Sequence, residues 1–291
     1  MLLTIFTPSY NRAYRLNNLY QSLLQQNFHD FEWLIVDDGS IDETEKLVSN
    51  FQKENKIEIN YYKQDNKGKH IAINKGVSLA KGDLFFIVDS DDRLPDNTLE
   101  VIHRKYETIK SNINLVGVAG RKAYFNKKIV GSEKPFNDLI TDGLSIRFKN
   151  KIQGDLAEVF KTKILKQFPF PEIPNEKFCP EALVWNRIAQ KYKLLYFNES
   201  IYECEYLEDG LTAKITKIRM RSPIASMLTY SELASYAIPF LGKAKATANY
   251  WRFSFHSKLS FLNKLKKVSL LISIIAFPLG CLMYLKDKTK N

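Results

Sequence analysis

Cysteine and histidine are scarce in this sequence of 291 residues. It contains three cysteines and four histidines, and no two cysteines form a CxxC pair. Three cysteines cannot all be joined in disulfide bonds, which favours a reducing, cytosolic compartment over a disulfide-stabilised secreted protein. His70 has no second histidine or cysteine at ligand spacing, and this argues against a zinc site.

Glycine and proline are also few, at 12 and 10 residues, and no low-complexity or collagen-like stretch is present. With 45% hydrophobic residues, the chain has enough apolar surface to fold, and its length suits about two domains of ~150 residues each. The segment Met1–Pro8 lacks a basic region and reaches proline after too few apolar residues for a signal peptide. We therefore expect the body of the protein to remain in the cytoplasm.

Acidic residues are almost absent from the last part of the chain. The net charge is +11, and residues 211–291 carry 14 lysines and arginines against only Glu232 and Asp287. Residues 1–210 have a net charge of −1, so the positive charge is concentrated in the tail. It surrounds the uncharged run Val268–Leu285, a combination that favours a membrane surface as partner. A nucleic-acid partner is disfavoured, because the positive charge does not lie on the motif-bearing body.

The uncharged run Val268–Leu285 has 18 residues, which make about 27 Å of helix, barely one hydrocarbon thickness. Pro278 and Gly280 interrupt it past its midpoint, and lysines flank both ends, which opposes the positive-inside tendency of a spanning helix. The pattern therefore predicts an anchor that lies in the plane of the cytoplasmic leaflet or re-enters it. A spanning helix is the alternative, and a buried core helix is a third interpretation.

Short apolar runs alternate with amphipathic segments in the first part of the chain. Leucines at helical spacing in the segment that ends at Leu24 indicate a helix with one buried face. Ser40 and Glu43 fit a capping box, which predicts that a second helix starts there. The predicted strands are Leu2–Phe6, Glu32–Val36, Ile57–Tyr62 and Leu84–Val88, and a further helix is predicted at His70–Ala80. This alternation predicts an α/β fold with a mostly parallel, doubly wound sheet.

Three polar clusters follow the predicted strands: Thr7–Arg12 after the first, Asp37–Ser40 after the second and Asp89–Asp92 after the fourth. In doubly wound sheets, ligands bind outside the carboxyl ends of the strands, where the loops collect. We therefore expect residues that lie far apart along the chain to meet at one rim of the sheet.

The acidic cluster Asp89–Asp92 (DSDD) places three carboxylates within four residues. Hard oxygen ligands suit Mg²⁺ or Mn²⁺, which usually takes one or two carboxylates and completes its shell with water and phosphate oxygens. A nucleoside diphosphate is the partner that this chemistry suggests. The alternative is that the acidic residues only stabilise the start of a helix near Pro95–Thr98.

The cluster Asp37–Ser40 (DDGS) and two nearby residues are candidates for base recognition. Two adjacent aspartates, Asp37 and Asp38, are more than a helix cap requires, and a side chain that only accepts hydrogen bonds suits the imide N–H of uracil. Pro8 and Tyr10 are flat and apolar enough to pack against a base, although either residue also fits a core position. A tight turn followed by a helix cap is the alternative interpretation of Asp37–Ser40.

The segment Asn66–Gly76 (NKGKHIAINKG) combines small residues, amides and cations at the start of a predicted helix. Backbone N–H groups at a helix N-terminus bind anions, so Gly68 and Lys69 are candidate phosphate ligands. The GxxxxGK[ST] spacing of a Walker A loop is absent from this segment, which excludes that type of nucleotide site.

The later part of the chain has a looser pattern. Pro180 is expected at the first position of a helix that spans Glu181–Tyr192. A carboxylate in the first turn stabilises the helix dipole by ~0.3–1 kcal/mol, and the same position keeps Glu181 ionised, as a general base requires. The other predicted strands are Leu115–Ala119, Lys122–Phe125, Leu194–Phe197 and Tyr202–Tyr206, with Asp155–Leu165 as a strand that enters a helix.

Together these motifs resemble the family 2 glycosyltransferases, which are inverting enzymes of GT-A fold. The resemblance is dense as far as Leu115 and weaker from there to Thr212. It is carried by TPSYNR (Thr7–Arg12), DDGS (Asp37–Ser40), NKGKHIAINKG (Asn66–Gly76), AKGD (Ala80–Asp83), DSDD (Asp89–Asp92), PEALVWNRIAQKY (Pro180–Tyr192) and EYLEDGLT (Glu205–Thr212). The last two patterns resemble bacterial surface-polysaccharide members of the family.

For the sugar donor, the resemblance implies that Pro8, Tyr10 and Asp38 contact the nucleotide base. It implies that Asp89 and Asp91 serve the ribose and a Mn²⁺ or Mg²⁺ ion, with Asp91 as the most direct metal ligand. The expected enzyme is therefore a metal-dependent hexosyltransferase.

For the acceptor, the resemblance implies that Glu181 is the general base that takes the proton from an acceptor hydroxyl. The family has an ED-like or EE-like pair at this point, but here a proline precedes Glu181, so Glu208 and Asp209 are fallback candidates. Gly68, Lys69 and the metal would offset the charge of the departing nucleoside diphosphate, and a single in-line displacement would invert the anomer.

The expected organisation is a nucleotide-sugar-binding half at residues 1–115, an acceptor-binding half of the same domain at residues 116–210, and a basic helical tail at residues 211–291. The expected reaction transfers a sugar from a nucleotide-sugar, with a UDP-sugar favoured, to a glycan or lipid-linked acceptor in surface polysaccharide synthesis, at the cytoplasmic face of the membrane. A nucleotidyltransferase is one alternative, but TPSYNR is not the glycine-rich phosphate loop that it needs. A non-catalytic sugar-nucleotide-binding protein is the other.

Overall fold

The computed structural model describes residues 1–205 and 214–289, and within them eight strands form one sheet. The strands are β1 Leu3–Ser9, β2 Phe31–Asp37, β3 Glu58–Lys63, β4 Leu84–Ile87, β5 Leu115–Tyr124, β6 Leu139–Thr141, β7 Leu156–Lys161 and β8 Lys193–Cys204. Their order across the sheet is β3-β2-β1-β4-β7-β5-β8-β6.

Helices connect the strands and form the C-terminal part of the chain. They are α1 Ala13–Leu24, α2 Thr44–Glu54, α3 Lys69–Leu79, α4 Thr98–Glu107, α5 Ser145–Phe148, α6 Thr162–Leu165, α7 Glu181–Ala189, α8 Ile215–Arg221, α9 Pro223–Ser235, α10 Phe240–Ser254, α11 Phe261–Leu265 and α12 Leu270–Thr289. From β1 to β4, strands and helices alternate as the sequence predicts.

The first four strands form the parallel part of the sheet. β1 pairs in parallel with β2 on one side and with β4 on the other, and β3 pairs in parallel with β2. Parallel neighbours require crossover connections, and α1, α2 and α3 supply them. Leu16 and Leu19 of α1 and Val48 of α2 are fully buried in the same core as Trp33 and Phe86 of the strands.

β1 is longer than predicted, because it continues through Thr7 and Pro8 to Ser9. These residues pair with the end of β2, whereas the ladder between β1 and β4 stops at Phe6 and Ile87. Pro8 therefore lies where β1 has a strand neighbour on one side only, the position in which a sheet tolerates a residue without an N–H.

The other strands form a mixed part of the sheet. β7 is antiparallel to both β4 and β5, β5 and β8 are parallel, and β6 is antiparallel to β8. β5 and β8 are each one long strand where the sequence predicted two short ones. Register shifts along their pairing accommodate the irregular stretches that separated the predicted strands.

The capping box predicted at Ser40 and Glu43 is wrong, since α2 begins at Thr44 and Glu43 is its N-cap residue. The Ser40 hydroxyl instead accepts a hydrogen bond from the Asn11 N–H at 2.8 Å. Asp42 accepts a hydrogen bond from the Thr44 N–H at 3.1 Å. At α7, Pro180 is the N-cap residue instead of the first helical residue, and the helix ends at Ala189.

By internal contacts the chain divides into two units. The first comprises residues 1–169 and 191–205 and contains the whole sheet, and the second comprises residues 170–190 and 214–289. The segment that carries α7 therefore groups with α8 to α12, whereas the expected acceptor-binding half had kept it with residues 116–210. In the second unit, α10 packs against α9 and α12, with Tyr250 and Trp251 fully buried.

Candidate functional site

Four loops of the first unit meet at the carboxyl ends of β1, β2 and β4. The Asp38 N–H donates to the Ser9 carbonyl at 2.8 Å, and the Ile41 N–H donates to the Asn11 side chain at 2.9 Å. These bonds join the loop that follows β1 to the loop that follows β2. The predicted convergence of the first two polar clusters is therefore present in the structure.

The acidic loop after β4 lies at the same rim. The Arg12 guanidinium, in the loop after β1, is 3.9 Å from a carboxylate oxygen of Asp91. Lys69 Nζ, at the start of α3, is 2.6 Å from Asp89 Oδ1. Three cationic and acidic segments that are far apart in the sequence thus form one charged cluster.

The two aspartates of the DDGS turn make different contacts. Asp37 is fully buried, and its carboxylate accepts hydrogen bonds from the Ser40 N–H at 2.7 Å and the Tyr61 hydroxyl at 2.6 Å. These contacts shape the turn itself. Asp37 therefore supports the structure of the rim, as the turn interpretation of this motif proposed.

Asp38 organises the neighbouring loop. Its Oδ1 accepts hydrogen bonds from Gln64 Nε2 at 2.8 Å and the Lys67 N–H at 2.9 Å, and its Oδ2 accepts one from the Gly68 N–H at 2.8 Å. Gly68 is the N-cap residue of α3, and its φ of 97° is a conformation that glycine adopts readily. The carboxylate predicted to contact a base thus also fixes the entry to α3, where Lys69 follows.

Pro8 and Tyr10 differ in exposure. Pro8 is buried within β1, whereas Tyr10, just beyond the strand, exposes 49% of its surface. A tyrosine ring at the rim offers a flat apolar face to a planar ligand. The geometry is thus more favourable for a base contact at Tyr10 than at Pro8.

The pKa values of the three carboxylates of the DSDD motif are shifted in different directions by burial and by neighbouring charges. Burial opposes ionisation of Asp89, but the charges of Lys69 and Lys122 hold its pKa below the ordinary value. Burial and the charge of Asp89 raise the pKa of Asp91. The same two causes raise the pKa of Asp92 to about 7.

Two residues from later strands complete this cluster, and local sequence patterns do not reveal them. The buried Tyr202 hydroxyl, on β8, donates to Asp92 Oδ2 at 2.6 Å. Lys122 Nζ, on β5, lies 4.0 Å from the centroid of the Tyr202 ring. The order of strands across the sheet brings Lys122 and Tyr202 to the site. The sequence placed them in the predicted strands Lys122–Phe125 and Tyr202–Tyr206 but did not indicate that they lie at the site.

The donor atoms of the cluster fit a divalent cation that is shared with a diphosphate. Among residues 1–205 and 214–289, no group of three or more histidine, cysteine, aspartate or glutamate side chains is arranged to hold an ion. Asp89 and Asp91 offer two hard oxygen donors, with side chains that are 33% and 21% exposed. Mg²⁺ and Mn²⁺ commonly bind through such a pair, with water and phosphate oxygens as the other ligands.

Glu181 belongs to the second unit, where it is the first residue of α7 and is half-buried. A carboxylate at this position is stabilised by the helix dipole. The fallback candidates Glu208 and Asp209 lie outside the residues that the structure describes. The role of Glu181 as the acceptor-side base stays a prediction.

The sequence profile of Glycosyl transferase family 2 matches residues 4–166, which include the four loops of the charged rim. This match covers more than half of the chain. The chain belongs to glycosyl transferase family 2.

Relatives and solved structures agree with this membership. The chain is 28% identical over 240 residues to the GalNAc(5)-diNAcBac-PP-undecaprenol beta-1,3-glucosyltransferase of Campylobacter jejuni, covering 80% of this chain and 72% of that protein. The structure of S. aureus TarS 1–349 in complex with UDP-GlcNAc matches with a TM-score of 0.66 at 15% identity, covering 100% of this chain and 93% of the TarS 1–349 chain. The mannosyltransferase PcManGT from Pyrobaculum calidifontis, in complex with GDP-Man and Mn²⁺, matches with a TM-score of 0.57 at 14% identity. The match covers 98% of this chain and 87% of the PcManGT chain. The GT-A fold expected from the sequence is confirmed.

Proposed function

We propose that this family 2 glycosyltransferase transfers a sugar, with inversion, from a UDP-sugar to a hydroxyl of a lipid-linked glycan in surface polysaccharide synthesis. The observation that carries the proposal is the meeting of Asp38, Lys69, Asp89 and Asp91 at one rim of the sheet. The structural neighbour TarS binds UDP-GlcNAc, and the Campylobacter relative is named for an undecaprenol-linked glycan. These two proteins support the donor and acceptor classes.

The base and the diphosphate of the donor would lie along this rim in order. Tyr10 offers an exposed ring for the base, and Asp38 Oδ2, which accepts the Gly68 N–H, is a carboxylate oxygen with two lone pairs that suits an imide N–H. Lys69 is the nearest cation to Asp89, and it supplies positive charge where a diphosphate would approach.

Asp89 and Asp91 would hold the Mg²⁺ or Mn²⁺ ion expected of the family. When bound, the metal neutralises charge on the departing nucleoside diphosphate. The contribution of the protein is to keep two carboxylates at the rim in spite of their mutual repulsion, through Lys69, Lys122 and Arg12. Without these cations, the two carboxylates would repel both each other and the donor.

Glu181 is the residue that we propose as general base. It takes the proton of the acceptor hydroxyl while that oxygen forms a bond to the anomeric carbon. The bond from this carbon to the diphosphate breaks at the same time, and the nucleoside diphosphate leaves on the opposite face. The substitution takes place in one step, so the configuration of the anomeric carbon is inverted.

The reaction is tested with a panel of UDP-, GDP- and dTDP-sugars, Mn²⁺ and a polyprenyl-diphosphate-linked acceptor, with the anomeric product followed by NMR. We expect transfer with inversion from a UDP-sugar. Glu181→Gln is expected to lower kcat by about 10²–10⁴-fold while UDP binding is retained, because only proton transfer is lost. Glu133→Gln, at an exposed position, is the control and keeps full activity. Retention of configuration, or full activity of Glu181→Gln, contradicts the proposal.

We also propose that the second unit binds the cytoplasmic face of a membrane through α12. One face of this helix is held by α10. Ser273, Gly280 and Asp287 are seven residues apart and so share a face. Trp251 Nε1 donates to Ser273 at 3.1 Å, and the Arg252 guanidinium forms hydrogen bonds of 2.5 and 2.7 Å with the Asp287 carboxylate. A Cβ at Gly280 would lie 2.7 Å from the Trp251 Cβ.

The other face of α12 carries large apolar side chains that are exposed to solvent. They are Leu270, Leu271, Ile274, Ile275, Leu279, Leu282 and Leu285, with between 49% and 77% of their surface exposed. The inner face combines small and polar residues with Phe277, which packs against Trp251, whereas leucine and isoleucine face outward, where a helix in a water-soluble protein carries polar residues. Within the described residues, α12 is the one helix long and apolar enough to cross a membrane.

The surroundings of this face are positively charged. Glu232 and Asp287, the two carboxylates of residues 214–289, are both held by arginines, Glu232 by Arg187 and Asp287 by Arg252. No carboxylate of this segment is therefore left to neutralise its lysines. Apolar side chains on a helix that lysines flank in the sequence fit a surface of anionic lipids.

The packing favours an orientation in the plane of the membrane over a span. α10 holds α12 at three levels along its length, and α10 carries Lys243, Lys245 and Arg252. A spanning α12 would either lose these contacts or draw the charged α10 into hydrocarbon, which is costly. An α12 that lies flat keeps its contacts and buries only its outer face.

Sedimentation with vesicles of phosphatidylglycerol and phosphatidylcholine tests this proposal. Replacement of Leu271 and Ile275 by serine is expected to weaken binding at least about tenfold, because each side chain contributes roughly 1.5–3 kcal/mol when buried. Ile113→Ser, at an 84% exposed position in the first unit, is the matched control. Equal vesicle binding of the double variant, a membrane-bound fraction that resists alkaline carbonate, or a dimer in lipid-free solution that the double variant abolishes would each contradict a flat lipid contact.

A further inference from the structure

Tyr202, on β8, contacts both ends of the DSDD motif, although β7 and β5 lie between β8 and β4 in the sheet. Its hydroxyl donates to Asp92 Oδ2 at 2.6 Å and accepts the Asp89 N–H at 3.0 Å. The tyrosine is 1% exposed and lies 110 residues after Asp92. One phenol therefore contacts both the backbone at the start of the motif and the carboxylate at its end.

The ring of Tyr202 is itself fixed from two sides. The ring of Phe86, on β4, packs edge-on against it with the centroids 6.1 Å apart. Lys122 Nζ lies over it at 4.0 Å from the centroid. Adjacent to it, Glu203 and Arg93 exchange backbone hydrogen bonds of 3.0 and 2.9 Å, so β8 also holds the residue that follows the motif. The hydroxyl is thus presented at a defined position.

The result is that the three carboxylates of the motif are not equivalent. Asp92 is 7% exposed and is bonded to the phenol, whereas the side chains of Asp89 and Asp91 remain 33% and 21% exposed. The Asp92 N–H also donates to the Asp89 carbonyl at 3.1 Å, which closes the turn. The first and third residues of the motif therefore face the rim, while the fourth is turned inward.

We propose that Tyr202 is a positioning residue that selects Asp89 and Asp91 as the carboxylates for cation and donor, by holding Asp92 out of the site. This inference rests on the proposed function for the identity of the ligand. It assigns no direct contact with substrate to Tyr202 or Asp92. The phenol acts only through the turn to which it is bonded.

The energetic basis is the cost of unsatisfied buried groups. Removal of the hydroxyl leaves both the buried Asp92 carboxylate and the Asp89 N–H without this partner, and each such loss carries a free-energy cost. The turn relieves this cost by rearranging, which moves Asp89 and Asp91 together. A ring without the hydroxyl keeps the packing with Phe86 and Lys122, so the fold itself is expected to persist.

Tyr202→Phe tests the inference, with Tyr196→Phe as the matched control, because Tyr196 is an equally buried tyrosine of the same strand. For Tyr202→Phe we expect UDP–Mn²⁺ affinity to fall about tenfold to hundredfold. We also expect faster hydrogen exchange of the Asp89 amide, while Tyr196→Phe changes neither. UDP affinity measured without Mn²⁺ is expected to change less, since the rearranged groups are the metal-facing carboxylates.

Asp92→Asn provides a second variant that does not depend on the behaviour of the tyrosine. Its amide oxygen can still accept the phenol hydrogen, so UDP–Mn²⁺ affinity is expected to stay within about fivefold of the wild type. Wild-type UDP–Mn²⁺ affinity in Tyr202→Phe, or a loss in Asp92→Asn as large as that in Tyr202→Phe, overturns the inference. If the wild type binds no nucleotide, the proposed function fails, whereas unchanged exchange of the Asp89 amide in Tyr202→Phe still refutes the positioning role.

Discussion

At the scale of single residues, the rim is built by carboxylates that each have one structural task. Asp37 holds the turn, Asp38 holds the entry to α3, and Asp92 is held by Tyr202. Asp89 and Asp91 are partly exposed and lie beside the cations Lys69 and Arg12. The carboxylates of this acidic cluster therefore differ in their contacts and in their exposure.

Asp38→Ala is expected to destabilise the protein by about 2–4 kcal/mol. The substitution leaves the buried N–H of Gly68 and the N–H of Lys67 without their charged acceptor. Urea unfolding measures the change. Asp65→Ala, at an exposed position of the same loop, is the control and is expected to stay within about 0.5 kcal/mol of the wild type. Equal stability of the two variants would show that Asp38 does not hold this loop.

The residues of the rim can be predicted from the sequence only where they directly follow a predicted strand. Asp38, Asp89 and Asp91 follow apolar strands directly, and their convergence follows from parallel topology. Lys122 and Tyr202 reach the same cluster because β7 and β5 extend the sheet from β4 to β8. That order of strands depends on long-range pairing, and no local pattern encodes it.

At the scale of elements, the pairing of α10 with α12 determines what the apolar run does. The run reads as a candidate anchor in the sequence, and the structure gives it a bound face and an exposed face. Gly280 lies where α12 approaches the α10 backbone, since a Cβ there would be 2.8 Å from the Ala248 carbonyl oxygen. The sequence suggested that Gly280 breaks the apolar run, but in the structure this glycine allows α12 and α10 to pack closely.

Gly280→Ala is expected to destabilise the packing of α12 by about 1–3 kcal/mol, because the added methyl meets Trp251 and the backbone of Ala248. This cost exceeds the gain of about 1 kcal/mol in helix propensity. Leu282→Ala, on the exposed face, is the control for thermal unfolding and is expected to have little effect. A higher melting temperature for Gly280→Ala would mean that the gain in helix propensity exceeds the packing cost, and it would contradict close packing of α12 against α10.

The order of strands and helices up to β4 is predictable because each element has its own periodicity and turn signal. The start of α2 is not, because the hydroxyl of Ser40 is taken by the Asn11 N–H from another loop. Tertiary contacts of this kind override a local capping pattern. The single long strands β5 and β8 differ from the prediction for the same reason, since pairing with each other carries them across irregular stretches.

At the scale of the whole molecule, the net charge differs between the part that carries the family motifs and the part that carries the apolar helix. The nearly neutral residues 1–210 carry the motifs of a family 2 glycosyltransferase, and the basic segment that follows carries the apolar helix. Within the sheet-bearing unit, Arg12 and Lys69 lie beside the carboxylates of the acidic rim. This rim is the proposed site for a nucleoside diphosphate together with a divalent cation.

Calorimetric titration of UDP into the protein with and without Mn²⁺ tests whether this rim binds both. We expect binding that is at least about tenfold tighter with Mn²⁺, and a loss of that gain in Asp91→Asn, because this carboxylate would be one of the groups that hold the cation, which would offset the charge of the diphosphate. Asp65→Asn, at an exposed position, is expected to bind as the wild type does. UDP binding that changes neither with Mn²⁺ nor with the Asp91→Asn substitution would contradict a shared site for the cation and the diphosphate at this rim.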